Sequence, residues 1–413
     1  MKMHATKICF IFYFLIFSSV SLANINNLLQ SIQTDYENRL DALFKDFHAH
    51  PELSLAEFST AKKIAKALRG HGFQVTENVG GTGVVALLKN GSGPLVMMRA
   101  DMDGLPLKEK TNLSYASRDM QLDPVTGNTF PVMHACGHDV HITALIGTAK
   151  QMVDLKNYWR GTLMLIAQPA EERVLGAKNM MNDNLWERFG QPDYALAFHV
   201  SSMLPSGVVN VVNGSPYAGA DTVDIYVHGI GAHGASPHTG KDPIVLGSQI
   251  VNSLQTLVSR ELPPRQPGVV TVGAFHSGTK HNIISDQAHL QLTVRNTSEK
   301  TRDTLLNGIK RISENLGRAA GLPEDKLPEV VVSEESTPPT LNDEKLAIRL
   351  RGLWKEKMGT DQVTSYQSDG MGAEDFPFFT TEPKIPSVYF AVGGTNHEYF
   401  KAALDGSGPP IPS

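Results

Sequence analysis

Three short apolar runs constrain the fold of this chain more than any other feature. Each is hydrophobic almost without interruption, whereas a strand with one wetted face would alternate apolar and polar residues. The runs are Pro94–Ala100, Thr162–Gln168 and Tyr194–Val200. Helical spacing of apolar residues occurs between and before them, roughly at Thr34–Phe47, Ser59–Arg69 and Asp139–Leu155. We therefore predict an α/β fold in which helices sandwich a mostly parallel sheet.

A second pattern begins near Ala220 and follows the order β-α-β-β-α-β, which is typical of a ferredoxin-like α+β domain. Its predicted strands are Thr222–Gly229, Gly268–Gly278, Ala288–Arg295 and Leu327–Glu334, and its predicted helices are Asp242–Glu261 and Ser298–Ala320. The α/β pattern then resumes with a helix near Asn342–Met358 and a strand at Ser387–Val392. Residues 24–218 and 330–413 are thus predicted to form one domain, with residues 219–329 inserted as another.

The first 23 residues have the pattern of a secretory signal peptide. Lys2 and Lys7 flank the start, Ile8–Phe17 is an unbroken apolar run, and Ser21–Ala23 offers small residues for cleavage. The run is about half of the ~20 residues that a bilayer span needs; the alternative is a buried N-terminal helix. We therefore expect a secreted or periplasmic protein whose mature form has no membrane segment.

Charge and cysteine content narrow the function classes. The formal net charge is −5, and no dense cluster of Lys or Arg occurs, which argues against binding of nucleic acid. Loss of the signal peptide removes Cys9 and leaves Cys136 as the single cysteine, so an internal disulfide cannot form. A lone thiol in an exported protein is either a small buried apolar side chain or a ligand of a metal ion. The residues next to Cys136 favour the second.

Polar residues of metal-binding type stand at the ends of the predicted inner strands. Asp101 and Asp103 follow the first, Glu171 and Glu172 follow the second, and His199 lies within the third. Open α/β sheets bind ligands beyond the carboxyl ends of their strands, so these side chains are expected to converge. His199 could otherwise be a core histidine and the glutamates solvated loop residues. An adjacent carboxylate pair after a buried strand is costly, however, unless a cation compensates it.

The densest polar cluster is His134–His141, which places Cys136 and His138 just before a predicted helix. Thiolate and imidazole are common ligands of zinc and similar ions, and a helix N-terminus favours the thiolate. We therefore predict that both residues bind metal. Asp139 is a candidate helix cap, and His134 and His141 are candidates for supporting the ligands without touching the metal.

Together these motifs resemble a known family. The segments that carry the resemblance are Arg99–Asp103, His134–His141, Gln168–Glu172, Gly229–Pro243 and Gly372–Phe376. They are similar to the aminoacylase and hippurate-hydrolase branch of dinuclear metallopeptidases, which includes bacterial carboxypeptidases and plant auxin-conjugate hydrolases. The resemblance implies a zinc-exopeptidase-like fold and two divalent ions per subunit, which could be zinc, manganese or cobalt. It also implies a homodimer in which the inserted domain is both dimerisation surface and lid.

The resemblance further implies a role for each site residue. Cys136 would bridge the two metals, with His138 and His199 on one of them and Glu172 on the other. Glu171 would be the general base and acid, Asp101 would support the site, and His233 would reach across the dimer to stabilise the oxyanion. Asn282 and Arg295 would contact a substrate carboxylate; the alternatives are a turn asparagine and a surface arginine.

The implied function is hydrolysis of the amide bond of N-acyl amino acids or short peptides by a metal-activated water. In the family pattern a fifth ligand comes from a histidine near the C-terminus, in a motif containing Ser-Pro. Here His397 is possible, but Ser-Pro does not follow it and no final helix is expected. We therefore expect the sequence to end just short of that ligand; the alternative is that His397 supplies it. Two alternatives stay open: an impaired homologue that binds one metal, and a dipeptidase or carboxypeptidase of the same architecture.

Overall fold

The computed structural model describes residues 27–367 and 370–411, and the predicted signal peptide lies outside them. Eight strands form the central sheet. In spatial order they are Gln74–Val79, Gly83–Asn90, Gly161–Gln168, Leu95–Asp101, Tyr194–Pro205, Ser387–Thr395, Val209–Asn210 and Val363–Thr364. The four strands from Gly161–Gln168 to Ser387–Thr395 are mutually parallel, whereas the first two strands and Val209–Asn210 add antiparallel pairs. The predicted α/β class with a mostly parallel sheet is confirmed.

The predicted apolar runs are the inner strands of this sheet, and both of their faces are buried. Along Gly161–Gln168, Leu163 and Leu165 pack into one core, whereas Met164 and Ile166 pack into another on the opposite face. Because successive side chains of a strand point to opposite faces, only a strand covered on both sides needs continuous hydrophobicity. The antiparallel strands Gln74–Val79 and Gly83–Asn90 were not predicted.

Helices cover the two faces of the sheet. The first face packs against Asp41–Ala49, Phe58–Gly70, His138–Asp154 and Glu344–Met358, and the second against Gly176–Asn182 and Leu185–Phe189. The first predicted helix is longer than expected: residues 27–35 are helical and continue through the π-turn Tyr36–Leu40 into Asp41–Ala49. No helix among the described residues is long and apolar enough to cross a membrane.

A separate antiparallel sheet has the strand order Gly268–Ser277, Gln287–Asn296, Gly219–His228 and Glu329–Val332. The helices Pro243–Thr256 and Glu299–Ala319 pack on one of its faces, and this is the ferredoxin-like arrangement. Asp242 and Ser298 begin the helices by accepting hydrogen bonds from backbone N–H groups of the first turn. The boundary predicted after residue 329 needs correction, since Glu329–Val332 pairs with Gly219–His228 and belongs to this sheet.

The expectation of no final helix is also wrong. Residues His397–Leu404 form a helix that follows the strand Ser387–Thr395. The side chain of Asn396 accepts hydrogen bonds from the backbone N–H groups of Glu398 and Tyr399, at 2.9 and 3.2 Å. An asparagine cap before an amphipathic run is a signal that the sequence contained.

Candidate metal centre

The carboxyl ends of the inner strands meet the N-terminus of the helix His138–Asp154. Ligand atoms of Cys136, His138 and His199 lie within 4.8 Å of one another, and so do those of His138, Glu171 and Glu172. The structure therefore brings together all four predicted metal ligands and the predicted base. His138 belongs to both groups and lies at the centre of the cluster.

A glycine sets the approach of Cys136 to the cluster. Gly137 has a φ of +86° and precedes the helix as its N-cap, and a Cβ atom at this position would lie 2.4 Å from Cγ1 of Val200. Only glycine permits this close, left-handed entry. Cys136 Sγ consequently lies 3.3 Å from Nε2 of His199. Asp139 does not cap the helix as predicted, because it lies inside the first turn and its Oδ2 pairs with Nδ1 of His48 at 2.7 Å.

The two ring nitrogens of His138 have different environments. Nδ1 donates to the backbone carbonyl of Asp103 at 2.8 Å. Nε2 is buried and has no hydrogen-bond partner among the described residues, although it lies 3.7 Å from Glu171 Oε2 and 3.8 Å from Glu172 Oε1. Glu172 Oε1 is likewise buried and without a partner there. Buried polar atoms are almost always paired, so this facing pair of acceptors fits a divalent cation between them.

His199 and His141 are oriented by the backbone of one residue, Val200. His199 Nδ1 donates to the carbonyl of Val200 at 2.6 Å, which turns Nε2 towards Cys136. His141 Nε2 accepts from the Val200 N–H at 2.9 Å, and its Nδ1 donates to the carboxylate of Asp101. Burial lowers the pKa of His141 to about 4, so the ring is neutral. Both of its nitrogens are in use, and His141 supports the site without offering a free ligand atom.

The electrostatics of the pocket also favour a bound cation. Burial raises the pKa of Glu172 to about 8, and burial together with the charge of Glu374 raises the pKa of Glu171 well above its ordinary value. Burial acts to lower the pKa of His138, but the charge of Asp101 and the hydrogen bond to Asp103 outweigh it and hold the pKa well above the usual range. A positive charge at His138 Nε2 is therefore strongly stabilised, and a metal ion supplies one.

A fully buried arginine that sequence reasoning did not assign to the site ties the strand ends together. Arg99 Nη1 donates to Asp101 Oδ2 at 2.5 Å, Nε donates to Gln168 Oε1 at 2.7 Å, and Nη2 donates to Glu374 Oε1 at 2.6 Å and to Asp375 Oδ1 at 3.1 Å. Asp101, which was predicted to support the site, is thus held between Arg99 and His141. A charged residue inside an apolar strand run was the available signal, since buried arginines are nearly always paired.

The acidic pair Glu374 and Asp375 was also missed as part of the site. Carboxylate oxygens of both residues and of Glu171 lie within 4.8 Å of one another. Tyr389 donates its hydroxyl to Glu374 Oε2 at 2.5 Å, and the backbone N–H of Ala177 donates to Asp375 Oδ2 at 3.0 Å. The segment Gly372–Phe376 carried the family resemblance, and its role here is to place buried negative charge next to the predicted base.

The other predicted residues lie outside this cluster. His233 and Asn282 are neighbours in the antiparallel sheet region: His233 pairs with Ile283, and the N–H of Gly234 donates to the carbonyl of Asn282 at 2.8 Å. Arg295 is half-buried in the strand Gln287–Asn296, opposite Ala220 and Val269. None of the three belongs to a metal-ligand group of the described residues.

His397 likewise belongs to none of the metal-ligand groups that the described residues form. It is exposed, and it is the first residue of the helix His397–Leu404. The structure thus assembles four candidate ligands from two strands and from the start of the helix His138–Asp154, and does not add His397 to them.

A mostly parallel sheet with thiol, imidazole and carboxylate ligands at its carboxyl edge is typical of a metalloenzyme. The family model of peptidase family M20/M25/M40 matches residues 97–404. A hippurate hydrolase from Campylobacter jejuni is 36% identical over 364 residues, or 88% of this chain and 90% of that protein. Thermostable carboxypeptidase 1 from Saccharolobus solfataricus is 35% identical over 379 residues, or 90% of this chain and 91% of that protein.

A solved structure agrees with these relatives. The YxeP protein of Bacillus subtilis, described as a dinuclear metal-binding peptidase of the M20 family, has a TM-score of 0.71 and 29% sequence identity, over 87% of this chain and 89% of that one. The chain therefore belongs to peptidase family M20/M25/M40 and is a metal-dependent hydrolase of linear amide bonds. The predicted resemblance to dinuclear metallopeptidases and amidohydrolases is confirmed.

Proposed function

We propose that this chain hydrolyses the amide bond of N-acyl amino acids, with two divalent ions held by Cys136, His138, Glu172 and His199. The observation that carries the proposal is the facing pair of unpartnered buried atoms, His138 Nε2 and Glu172 Oε1, with the Glu171 carboxylate beside them. In this assignment His138 and His199 would hold one ion, Glu172 would hold the other, and Cys136 would serve as a ligand of both. The donor set suits zinc, manganese or cobalt.

The chemistry divides between the ions and the protein. When bound, the ions polarise the amide carbonyl and lower the pKa of water. Glu171 takes a proton from the attacking water and later gives it to the leaving nitrogen. Glu171 is buried, and its Oε2 lies 3.7 Å from Nε2 of His138, which places the carboxylate beside the metal centre where this proton is transferred.

The surrounding residues fix the geometry of the reacting groups. Asp101 holds His141 through its carboxylate, and His141 holds the backbone next to His199 through Val200. Arg99 keeps Asp101 charged: burial opposes ionisation, but the guanidinium and the neighbouring histidines lower the pKa of Asp101 well below its ordinary value. These contacts orient ligands before a metal arrives, which is the usual work of outer-shell partners.

The substrate class rests on the lid residues and on one relative. We assign the oxyanion contact to His233, acting from the second subunit, and the substrate carboxylate contacts to Asn282 and Arg295. Towards a carboxylate, which only accepts, Asn282 would donate from its Nδ2 amide group and Arg295 from its guanidinium. Hippurate is itself an N-acyl amino acid, and its hydrolase from Campylobacter jejuni is 36% identical to this chain.

A second candidate activity is the removal of a C-terminal amino acid from peptides. The carboxypeptidase from Saccharolobus solfataricus is almost as similar as the hippurate hydrolase, at 35% identity. Both activities require a free carboxylate next to the cleaved amide, so the residues of the metal centre cannot distinguish them. The size and polarity of the group on the acyl side decide between them.

We further propose that the mature protein is exported and dimeric. Export rests on the N-terminal pattern of residues 1–23. Dimerisation through the antiparallel sheet is supported by apolar side chains exposed at its edge, namely Phe275 on the edge strand and Ile244 and Val245 on the adjacent helix. Light scattering of the mature protein gives its mass in solution, and a monomer at micromolar concentration would contradict the dimer.

The activity is tested with the purified chain, loaded with zinc or manganese, on three substrate sets: N-acyl amino acids, their amides without a carboxylate, and dipeptides. We expect hydrolysis of the first set, loss of activity with a chelator and recovery with added metal. Preference for the dipeptides would favour the peptidase activity instead. No hydrolysis of any set, with one ion or none per chain, would support an impaired binding protein.

A further inference from the structure

The segment Glu52–Glu57 supports the turn that carries Glu171 and Glu172 through hydrogen bonds. The N–H of Gly104 donates to the carbonyl of Glu52 at 2.7 Å, which fixes this segment to the end of the strand Leu95–Asp101. Ser54 Oγ donates to Asp103 Oδ2 at 2.6 Å, and the same oxygen accepts from the N–H of Glu172 at 3.1 Å. The segment therefore touches the turn through Asp103.

A second contact from this segment is direct. The side chain of Glu57 is fully buried, and its carboxylate accepts three hydrogen bonds from three separate parts of the chain. Oε1 accepts from the N–H groups of Leu55 at 3.0 Å and Ala170 at 2.8 Å, and Oε2 accepts from Thr82 Oγ1 at 2.6 Å. None of the ion pairs between described residues includes Glu57. A buried carboxylate without a cation is costly, and the three hydrogen bonds that Glu57 accepts offset this cost.

The group that Glu57 holds is strained. Ala170 stands directly before Glu171 and has a φ of +49°, a left-handed conformation that is disfavoured for any residue with a Cβ atom. Such a conformation persists only where the surroundings fix it. The carbonyl of Ala170 accepts from the N–H groups of Leu175 and Gly176, at 3.2 and 3.1 Å, and Glu57 holds its N–H. Both backbone groups of the strained residue are thereby anchored.

We propose that Glu57 is a positioning residue for the reaction: by holding the N–H of Ala170 it fixes the turn so that Glu171 and Glu172 point into the metal centre. The inference rests on the proposed function, in which Glu171 is the base. The length of the side chain at position 57 matters in this role and its charge does not, because the contact to Ala170 is a hydrogen bond from an uncharged N–H group. A carboxamide of the same length can accept from Leu55 and Ala170 and donate to Thr82, whose hydroxyl can accept.

The test compares Glu57→Gln, which keeps the reach and removes the charge, with Glu57→Asp, which keeps the charge and shortens the side chain by one methylene. Thr82→Val is the matched control, since it removes a hydrogen bond to the same carboxylate that does not lead to the turn. We measure kcat, KM, metal content and Tm of each variant on an N-acyl amino acid that the wild type hydrolyses. Glu57→Gln and Thr82→Val are expected to keep kcat within about threefold, whereas Glu57→Asp should lose about 10–100-fold, as outer-shell changes do.

The kinetic split distinguishes positioning from general stabilisation. In Glu57→Asp, measured with saturating metal and at a temperature well below Tm, kcat should fall while KM stays close to the wild type. Equal kcat in Glu57→Asp and wild type, or an equal loss in Thr82→Val, would overturn the inference, as would a large loss in Glu57→Gln. A wild type that hydrolyses none of the substrates is a different outcome, because it contradicts the proposed function before any variant is compared.

Discussion

His138 is held by the backbone of Asp103, whose carbonyl accepts from Nδ1 over 2.8 Å and leaves Nε2 buried and free to bind. The contact joins the end of the strand Leu95–Asp101 to the first residue of the helix His138–Asp154. Since a backbone carbonyl can only accept, it also selects the ring tautomer with its lone pair on Nε2. The histidine at the centre of both ligand groups is thus oriented by the fold, independently of any metal.

Replacement of His138 tests the ligand assignment. His138→Ala should lose metal by more than the 10–100-fold in affinity that outer-shell changes cost, because it removes a donor common to both ligand groups. Elemental analysis after dialysis gives the ions bound per chain. His276→Ala, at an exposed position of the antiparallel sheet, is the control and should keep the wild-type content. An unchanged metal content in His138→Ala would show that the ligands lie elsewhere.

Replacement of Arg99 tests the buried charge network. Arg99→Met removes the cation from among Asp101, Glu374 and Asp375, and an uncompensated buried charge costs about 3–5 kcal/mol. Urea unfolding should show a loss of that size. Arg188→Met is the control: it breaks the surface pair with Asp183 and should cost no more than about 1 kcal/mol. Similar losses in the two variants would mean that the buried network contributes little.

The pKa of Glu57 predicts a pH-dependent effect on stability. Burial and the charge of Asp103 raise this pKa from 4.5 to about 7. The folded state then binds the proton more tightly than the unfolded chain, so the linked stability is complete below 4.5 and is lost as the pH rises to about 7. Glutamine does not titrate. Glu57→Gln should therefore gain stability relative to the wild type over this window, by no more than about 3 kcal/mol.

Chemical unfolding at pH values from 4.5 to 8 measures this gain. Glu324→Gln is an informative control: the hydrogen bond from Arg318 lowers the pKa of Glu324 below 4.5, so its linked stability is lost only at lower pH and the difference from the wild type should stay nearly constant over this range. A difference between Glu57→Gln and the wild type that stays constant with pH would contradict the raised pKa.

The sequence predicted those elements that arise from a periodic pattern of apolar residues or from a short local motif. The inner strands were recognisable because burial on both faces requires continuous apolar runs, as in Gly161–Gln168. The convergence of Glu172 and His199 followed from the rule that parallel strands present their carboxyl ends at one edge, whereas His138 was predicted from its place just before a helix. The helix start was placed to within one residue, although its cap is Gly137 and not Asp139.

The missed residues are those whose roles depend on contacts between distant segments. Glu57 reaches Ala170 across 113 positions of the chain, and Arg99 reaches Glu374 across 275. Neither contact has a periodic signature, and each acidic residue alone resembles a solvated surface group. Arg99 in an apolar strand indicated a buried partner, but the sequence did not say which one. The left-handed conformation of Ala170 was likewise unforeseen, since alanine is not typical of it.

The central claim is that Glu171 is the proton carrier at a metal centre that other residues build. Its most direct test is Glu171→Gln, a substitution of equal size that removes the proton acceptor and leaves Cys136, His138, Glu172 and His199 in place. We predict that kcat on an N-acyl amino acid falls by about 10²–10⁴-fold, while metal content and Tm stay close to those of the wild type. Near-normal turnover by a metal-loaded Glu171→Gln protein would contradict the account.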